Sequence, residues 1–328
     1  MDTSGVGQSL PLKENPEKYQ DVGKLYPEIS RYEAKNWNEI VCIYNEKFRN
    51  VNEDWLFRGQ DCDSFPSSNL HRELSRLGVS FEEADKYEYS IVKMFERNGF
   101  KYKDILSDNL SFSEIISAMQ HYSAPTRFID VTYSFYISLF FALEKHKPIE
   151  FNKSYIKYSL NCPYFKFEVP SIFAIESNWL TNAACRILKS YNCSEYSDFY
   201  PGKNEKQFEK FFLKQDSRKQ FVYNLTPKII NPRLSIQQGT FLCQGDITKS
   251  FWSNFNLLLK YNKRNSIAYI ELNIIDEEAY QEIMRELYRM NITRATLFPG
   301  LQGFAESVKS ACYFPNVVEN ICKNGIWK

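Results

Sequence analysis

The sequence predicts an α+β fold with a mixed or antiparallel sheet core that is flanked by helices. Segments typical of strands and segments typical of helices follow one another in mixed order along the chain, as in α+β proteins. Hydrophobic residues make up 43% of the 328 residues, which is enough for a sizeable core. The helix-like segment 133–145 is apolar on nearly all sides, so it must be buried.

The domain organisation is predicted to be simple. We expect a polar, partly disordered leader over residues 1–30, which holds three prolines, and a single domain over 31–328. Residues 149–170 are irregular and predict an excursion from that domain.

Capping pairs mark the starts of three predicted helices, because a polar residue is followed three positions later by a glutamate. The pairs are Asn36 with Glu39, Ser80 with Glu83, and Ser111 with Glu114. The second helix is expected to stop at Gly99, and Pro125 prevents continuation of the third.

The remaining elements are predicted from apolar periodicity. Short strands are expected at 55–58, where Gly59 ends the strand, and at 127–131, 171–176, 219–225, 239–243 and 266–274. Helices are expected at 133–145, 178–190, 204–216 and 276–290, and from about 301 onward.

Composition excludes several classes of protein. The net charge of +1, from 41 basic and 40 acidic residues, argues against a bulk polyanion binder. No apolar stretch is long enough for a membrane span or a secretory signal, so we expect a cytoplasmic protein with no membrane partner. The eight cysteines are scattered, which favours reduced thiols and argues against a zinc site, and no metal is expected.

Four segments combine an apolar run with polar residues that a core would not favour: 57–60, 120–132, 231–241 and 296–304. In the first, Arg58 stands at a strand end before Gly59, which places a guanidinium where a carboxylate or phosphate can approach the backbone. The alternative is a structural arginine paired with a core carboxylate. Arg72, Arg76 and Lys86 can extend a basic patch around Arg58, although most surface cations are only solvated.

The other segments also allow two interpretations each. His121 is either a cap at a helix C-terminus or a catalytic group, and Arg127 and Asp130 can pair with each other. Gln238 and Gly239 lie at the mouth of a predicted strand, where the alternative is a polar turn. The last segment, with two glycines, is best explained as a turn into a helix.

These segments, in this order, resemble the FRG domain family, which is named for its Phe-Arg-Gly motif. The matching blocks are Trp55-Leu56-Phe57-Arg58-Gly59-Gln60; Gln120-His121-Tyr122 with Pro125-Thr126-Arg127, Asp130 and Thr132; Asn231, Arg233 and Gln237-Gln238-Gly239 with Phe241; and Thr296-Leu297-Phe298-Pro299. The resemblance covers residues from about 36 to 312. It implies a bacterial or phage protein of a defence or toxin system, with an antitoxin or a phage protein as partner.

The chain departs from the family pattern at three places. Ser123-Ala124 stands where the family usually has Gly-Leu, and Val131 where it usually has Trp. Gly300 replaces the usual acidic residue after Phe-Pro, so a ligand contact assigned to that acidic position does not carry over.

A more distant resemblance is to ADP-ribosyltransferases. The segment 57–59 is similar to their first strand, 130–142 to their middle block, and Gln238 stands where they hold a Glu or Gln. This implies a fold like theirs and NAD as the substrate of an ADP-ribosyltransferase or NAD glycohydrolase. The implied catalytic residues are Arg58, Asp130, Thr132 and Gln238, and the implied cofactor-binding residues are Arg58, Gly59, Gln60, His121, Arg127 and Gly239.

The expected chemistry is coherent with these residue types. An arginine holds the diphosphate of NAD, and a carboxylate or amide that orients the ribose hydroxyls stabilises the charge that develops when the nicotinamide bond breaks. The Glu-x-Glu of the transferases is missing near Gln238. The alternative is therefore a binding module without catalysis that recognises a nucleotide, a nucleic acid or a phage protein. A nuclease-like toxin ranks last, because no metal-binding carboxylate cluster is visible.

Overall fold

The computed structural model describes residues 29–61, 65–102, 110–146, 169–191, 219–227, 231–261 and 266–311. Within them a seven-stranded mixed sheet is flanked by helices, which confirms the predicted fold class. The strands are β1 (Ser30–Ala34), β2 (Trp55–Gln60), β3 (Phe128–Thr132), β4 (Ser171–Glu176), β5 (Val222–Leu225), β6 (Gly239–Gln244) and β7 (Ile267–Leu272). Nearly all of the predicted leader and excursion, and the helix predicted over 204–216, lie outside the described residues.

The helices in chain order are α1 (Trp37–Lys47), α2 (Asn69–Arg76), α3 (Ala84–Gly99), α4 (Phe112–His121), α5 (Phe135–Leu143), α6 (Ser177–Ser190), α7 (Pro232–Ile236), α8 (Phe251–Leu259), α9 (Glu277–Arg289), α10 (Arg294–Leu297) and α11 (Leu301–Ala311). Asn36 caps α1, and Ser111 with Glu114 forms a complete capping box on α4. Ser80 instead caps a short 3-10 turn that leads into α3.

The strand order is β1-β7-β4-β2-β3-β6-β5, and only the edge pair β1–β7 is parallel among these strands. Two hydrophobic cores pack against the sheet. Side chains of α3, α4, α6 and α8 contribute to the first, and those of α1, α5 and α9 contribute to the second. Leu56 belongs to the first core, whereas Trp55 and Phe57 belong to the second. The central strands are thus buried on both faces, which explains their nearly continuous apolar runs.

The two central strands, β2 and β3, separate after one residue pair. The ladder between these fully described strands joins only Phe57 to Thr132, whereas β2 pairs with β4 along its whole length, from Trp55 to Gln60. Beyond that pair, Nη1 of Arg58 donates a hydrogen bond to the carbonyl oxygen of Asp130 at 2.6 Å. The sheet therefore opens at its centre, and a side-chain hydrogen bond joins the strands across the gap.

Gly59 lies inside β2 and does not end it, so the prediction that the strand stops there is wrong. A Cβ atom at Gly59 would lie 1.9 Å from the carbonyl oxygen of Ser138 and 2.6 Å from the amide nitrogen of Ala142. The absence of a side chain is what allows α5 to pack directly on the strand.

We expect Gly59→Ala to lower the free energy of unfolding by about 3 kcal/mol, because α5 must move away from the sheet. Urea denaturation measures this change. Gly78→Ala is the control: no atom lies within 4 Å of its added Cβ, and only its φ of +70° opposes the substitution. That costs about 1 kcal/mol. Equal losses for the two variants would contradict the close packing of α5 on β2.

Candidate functional site

The opening between β2 and β3 forms the floor of a cleft with a volume of about 970 Å³. Its walls come from the C-terminal ends of α4 and α5 and from α7, α10 and α11. All but two of the predicted site residues line it: Arg58, Gly59, Gln60, His121, Asp130, Thr132 and Gly239. The roles assigned to them stay predictions.

Asp130 is exposed although its neighbours along β3 are buried. Its Oδ2 accepts a hydrogen bond from Nε2 of Gln120 at 2.6 Å. Oε1 of Gln120 in turn accepts a hydrogen bond from the hydroxyl of the buried Thr126 at 2.5 Å. The Asp130 carboxylate is therefore held in place from the end of α4.

Arg127 does not line the cleft, and its predicted pairing with Asp130 is wrong. It is 1% exposed and pairs with Glu88 of α3, with Nε at 2.8 Å from Oε1 and a second, shorter contact from Nη2 to Oε2. Burial alone would lower the pKa of Arg127, but the adjacent Glu88 carboxylate more than offsets this and raises it. Arg127 is thus an arginine paired with a core carboxylate. The sequence allows that structural role for Arg58.

Thr132 uses its hydroxyl within the fold. The side chain is buried, its Oγ1 donates to the carbonyl oxygen of Gln237 at 2.7 Å, and the same oxygen accepts from the amide of Ser134 at 2.9 Å. Ser134 is the N-cap of α5. Thr132 therefore connects the turn after α7 with the start of α5 and shapes the floor of the cleft.

The two adjacent glutamines lie on different sides of this turn. Gln238 has a φ of +47°, its side chain is exposed, and it is not among the residues that line the cleft. Gln237 does line the cleft: it is 9% exposed, and its Nε2 donates to the carbonyl oxygen of Leu297 at 2.9 Å. On sequence grounds Gln238 is selected and Gln237 is missed. The one signal that favours Gln237 is that the residue just past a helix end, here Gln238, often takes a left-handed backbone conformation and so points its side chain elsewhere.

Arg233 and Phe298 enter the sequence argument only as matches to family blocks, yet both line the cleft. The guanidinium of Arg233 lies 4.4 Å from the centre of the Phe298 ring, and that of Arg294 lies 3.6 Å from it. Arg294 also pairs with Glu144 at 2.9 Å and with Glu306 at 2.7 Å. These stacked and paired groups form one wall of the cleft.

His121 is the last residue of α4 and is half-buried at the cleft. Its carbonyl oxygen accepts a hydrogen bond from Nη1 of Arg233 at 3.2 Å. Burial, with a further contribution from Arg233, lowers the pKa of His121 below its ordinary value. The imidazole is therefore neutral near pH 7 and can donate or accept one hydrogen bond there.

The basic patch predicted around Arg58 is reduced to one of its three expected members. Arg72 of α2 lines the cleft, and its Nη1 donates to the carbonyl oxygen of Ser67 at 2.5 Å. Arg76, one turn further along the same helix, pairs with Glu73, and Lys86 contacts Glu83. Neither Arg76 nor Lys86 lines the cleft.

The family model of the FRG domain matches residues 53–150. The chain carries an FRG domain. The match contains the first two blocks seen in the sequence, whereas the third and fourth blocks lie outside it and line the same cleft. No curated protein and no solved structure matches the chain. These comparisons give no support for the resemblance to ADP-ribosyltransferases.

The FRG domain match supplies the centre of the sheet. It contains β2 and β3, whose other partners, β4 and β6, lie outside the matched residues. The matched segment is therefore built into the larger sheet through both of its strands. In the part of the chain that the structure describes, no helix is long and apolar enough to cross a membrane.

Ser123 departs from the family pattern, and its backbone conformation explains why the family usually has glycine at this position. Its φ is +62°, in the left-handed region, and it stands where the family usually has Gly. Ser123→Gly should raise the free energy of unfolding by up to about 1 kcal/mol, because glycine adopts this backbone conformation without strain. Chemical denaturation measures the change. Ser123→Ala, which keeps the Cβ, should give no such gain, and a gain as large as that of glycine would refute the explanation.

The Arg127–Glu88 pair should stabilise the FRG domain only as long as both partners are present. Glu88→Leu leaves the buried guanidinium without its carboxylate, and we expect a loss of about 3–5 kcal/mol in the free energy of unfolding. The double variant Glu88→Leu/Arg127→Met should recover most of that loss, as measured by urea denaturation. If the double variant is as unstable as the single one, the buried charge is not the cause.

Proposed function

We propose that the cleft of the FRG domain binds a phosphate-bearing nucleotide and that NAD is the nucleotide it uses. The observation that supports this most directly is the set of three arginines, Arg58, Arg72 and Arg233, around one cleft that also holds the exposed aromatic ring of Tyr122. Guanidinium groups bind phosphates through paired hydrogen bonds, and aromatic rings stack on bases. The volume of about 970 Å³ suits a ligand the size of a dinucleotide.

The hydrogen bonds of these arginines support a role in binding anions. Nη1 of Arg58, of Arg72 and of Arg233 each donates to a backbone carbonyl oxygen. A hydrogen bond to a carbonyl oxygen fixes the direction of a guanidinium. Arg294 differs, because it pairs with the carboxylates of Glu144 and Glu306. The cleft therefore holds oriented guanidinium groups at three points.

The reaction we propose is cleavage of the bond between nicotinamide and ribose, with transfer of ADP-ribose to a target or to water. With water as acceptor, NAD gives ADP-ribose, nicotinamide and one proton. Positive charge develops on the ribose as the bond breaks, and the carboxylate of Asp130 on the cleft floor can stabilise it. Arg58 holds phosphate in this scheme, Thr132 shapes the floor, and Gln238 has no contact with the ligand.

The biological setting that we propose is a bacterial defence or toxin system, in which this chain is an effector of the ADP-ribosyltransferase type. An antitoxin or a phage protein would then control it. The resemblance to the FRG domain family supports this setting, and the described contacts bear only on the cleft.

Binding without turnover is the second candidate function. It is favoured by the positions of two predicted catalytic groups: the Thr132 hydroxyl is engaged within the fold, and the Gln238 side chain lies outside the cleft. A nucleotide, a nucleic acid or a phage protein would then be recognised and not modified.

Calorimetry with NAD, combined with an assay for released nicotinamide, tests both candidates. Arg72→Ala should weaken NAD binding about tenfold, because one charge-assisted hydrogen bond to phosphate is lost. Arg76→Ala is the matched control: it removes the same charge from the same helix at a position that does not line the cleft, so its Kd should stay within about twofold of wild type.

The outcomes separate the candidates. Saturable binding with release of nicotinamide supports NAD cleavage, and binding without release supports the second function. If NAD does not bind, or if Arg72→Ala and Arg76→Ala weaken binding equally, the cleft is not the nucleotide site that we propose.

A further inference from the structure

We infer that Asp130 makes the cleft select ribonucleotides over 2′-deoxyribonucleotides by accepting hydrogen bonds from the ribose diol. The inference rests on the proposed nucleotide binding and holds for both candidate functions. It concerns the class of nucleotide, which neither the family match nor the arginines of the cleft determine.

The first observation is that a carboxylate interrupts a buried central strand. Phe128, Ile129, Val131 and Thr132 of β3 are all buried, and Asp130 between them is exposed and lines the cleft. A carboxylate at the centre of a sheet is costly unless water or a polar ligand solvates it. Its position gives the cleft a polar surface above the middle of the strand.

The second observation is that this carboxylate is held on one side only. Gln120 donates to Oδ2 at 2.6 Å and is itself fixed by Thr126. Among the described residues, Gln120 is the only side chain that forms a hydrogen bond with the carboxylate of Asp130. The carboxylate is thus oriented by the fold, and Oδ1 can still accept hydrogen bonds from a ligand.

The third observation is the charge around Asp130. The guanidinium of Arg58 is bonded to the carbonyl oxygen of the same residue, and Arg233 lies on the wall beside it. A phosphate placed against Asp130 itself would be repelled, while a phosphate at either arginine is attracted. The group that fits between these phosphate anchors is a neutral donor, and the hydroxyls of a ribose attached to the phosphate are neutral donors.

The chemistry then gives the selectivity. Both ribose hydroxyls can donate to a carboxylate, as acidic residues do for the ribose of dinucleotides. A 2′-deoxyribose leaves one of these hydrogen bonds unmade, so the carboxylate loses solvation when the ligand displaces water. Rejection of the deoxy ligand follows from the unsatisfied carboxylate and needs no steric clash.

The test is calorimetry of the full chain with NAD and with the NAD analogue that lacks the 2′-hydroxyl of the nicotinamide-side ribose. These ligands differ only at the ribose that the proposed function places against Asp130, so the comparison isolates that hydroxyl. We expect the wild-type protein to bind NAD about tenfold more tightly, the factor that one hydrogen bond to a charged group contributes. Equal affinities would overturn the inference and leave nucleotide binding intact. If neither ligand binds, the proposed function fails together with the inference.

Two variants connect the selectivity to Asp130. In Asp130→Asn the amide oxygen still accepts the hydrogen bond of Gln120, so the fold is kept, and the preference for NAD over the deoxy analogue should fall below about threefold. Asp61→Asn removes a carboxylate from the edge of the same cleft and should leave the preference unchanged. Gln120→Met should lower the preference by releasing the Asp130 carboxylate. A preference that survives Asp130→Asn, or that falls equally in Asp61→Asn, contradicts the assignment.

Discussion

The hydrogen bond between the Arg58 guanidinium and the Asp130 carbonyl, 2.6 Å long, joins the two central strands where their ladder has stopped. A continuous ladder between β2 and β3 would close the sheet and leave no room for a ligand. Because one side chain replaces the missing strand hydrogen bonds, the strands can separate while the sheet stays connected. The cleft, its arginines and its carboxylate all depend on that opening.

The Phe-Arg-Gly motif divides this work among three neighbours on alternate faces of β2. Phe57 closes the last strand pair and packs edge-on against Phe135, with ring centres 5.4 Å apart. Arg58 spans the opening, and Gly59 lets α5 lie directly on the strand. Each residue type is required by a different physical constraint, so the motif is structural and functional at once. The other arginine of the first two family blocks, Arg127, belongs to the core, where it pairs with Glu88.

The sequence predicts the fold class, most of the element positions and the cleft floor, because these follow from periodicity, capping residues and the spacing of the four blocks. It cannot assign partners across the chain. Glu88 lies 39 residues before Arg127 and carries no local sign that it is the buried carboxylate. It also cannot decide between adjacent glutamines, since a left-handed turn rotates Gln238 out of the cleft and keeps Gln237 in. The stacking of Arg233 and Arg294 on Phe298 is likewise a tertiary contact between separate blocks.

The most direct measurement of the central claim is a crystal structure of this protein with NAD or ADP-ribose bound. We expect phosphate density within hydrogen-bond distance of the Arg58, Arg72 or Arg233 guanidinium, with a ribose against the Asp130 carboxylate. Ligand density at another surface, or a bound nucleotide that touches none of these four side chains, would rule out the cleft as the nucleotide site.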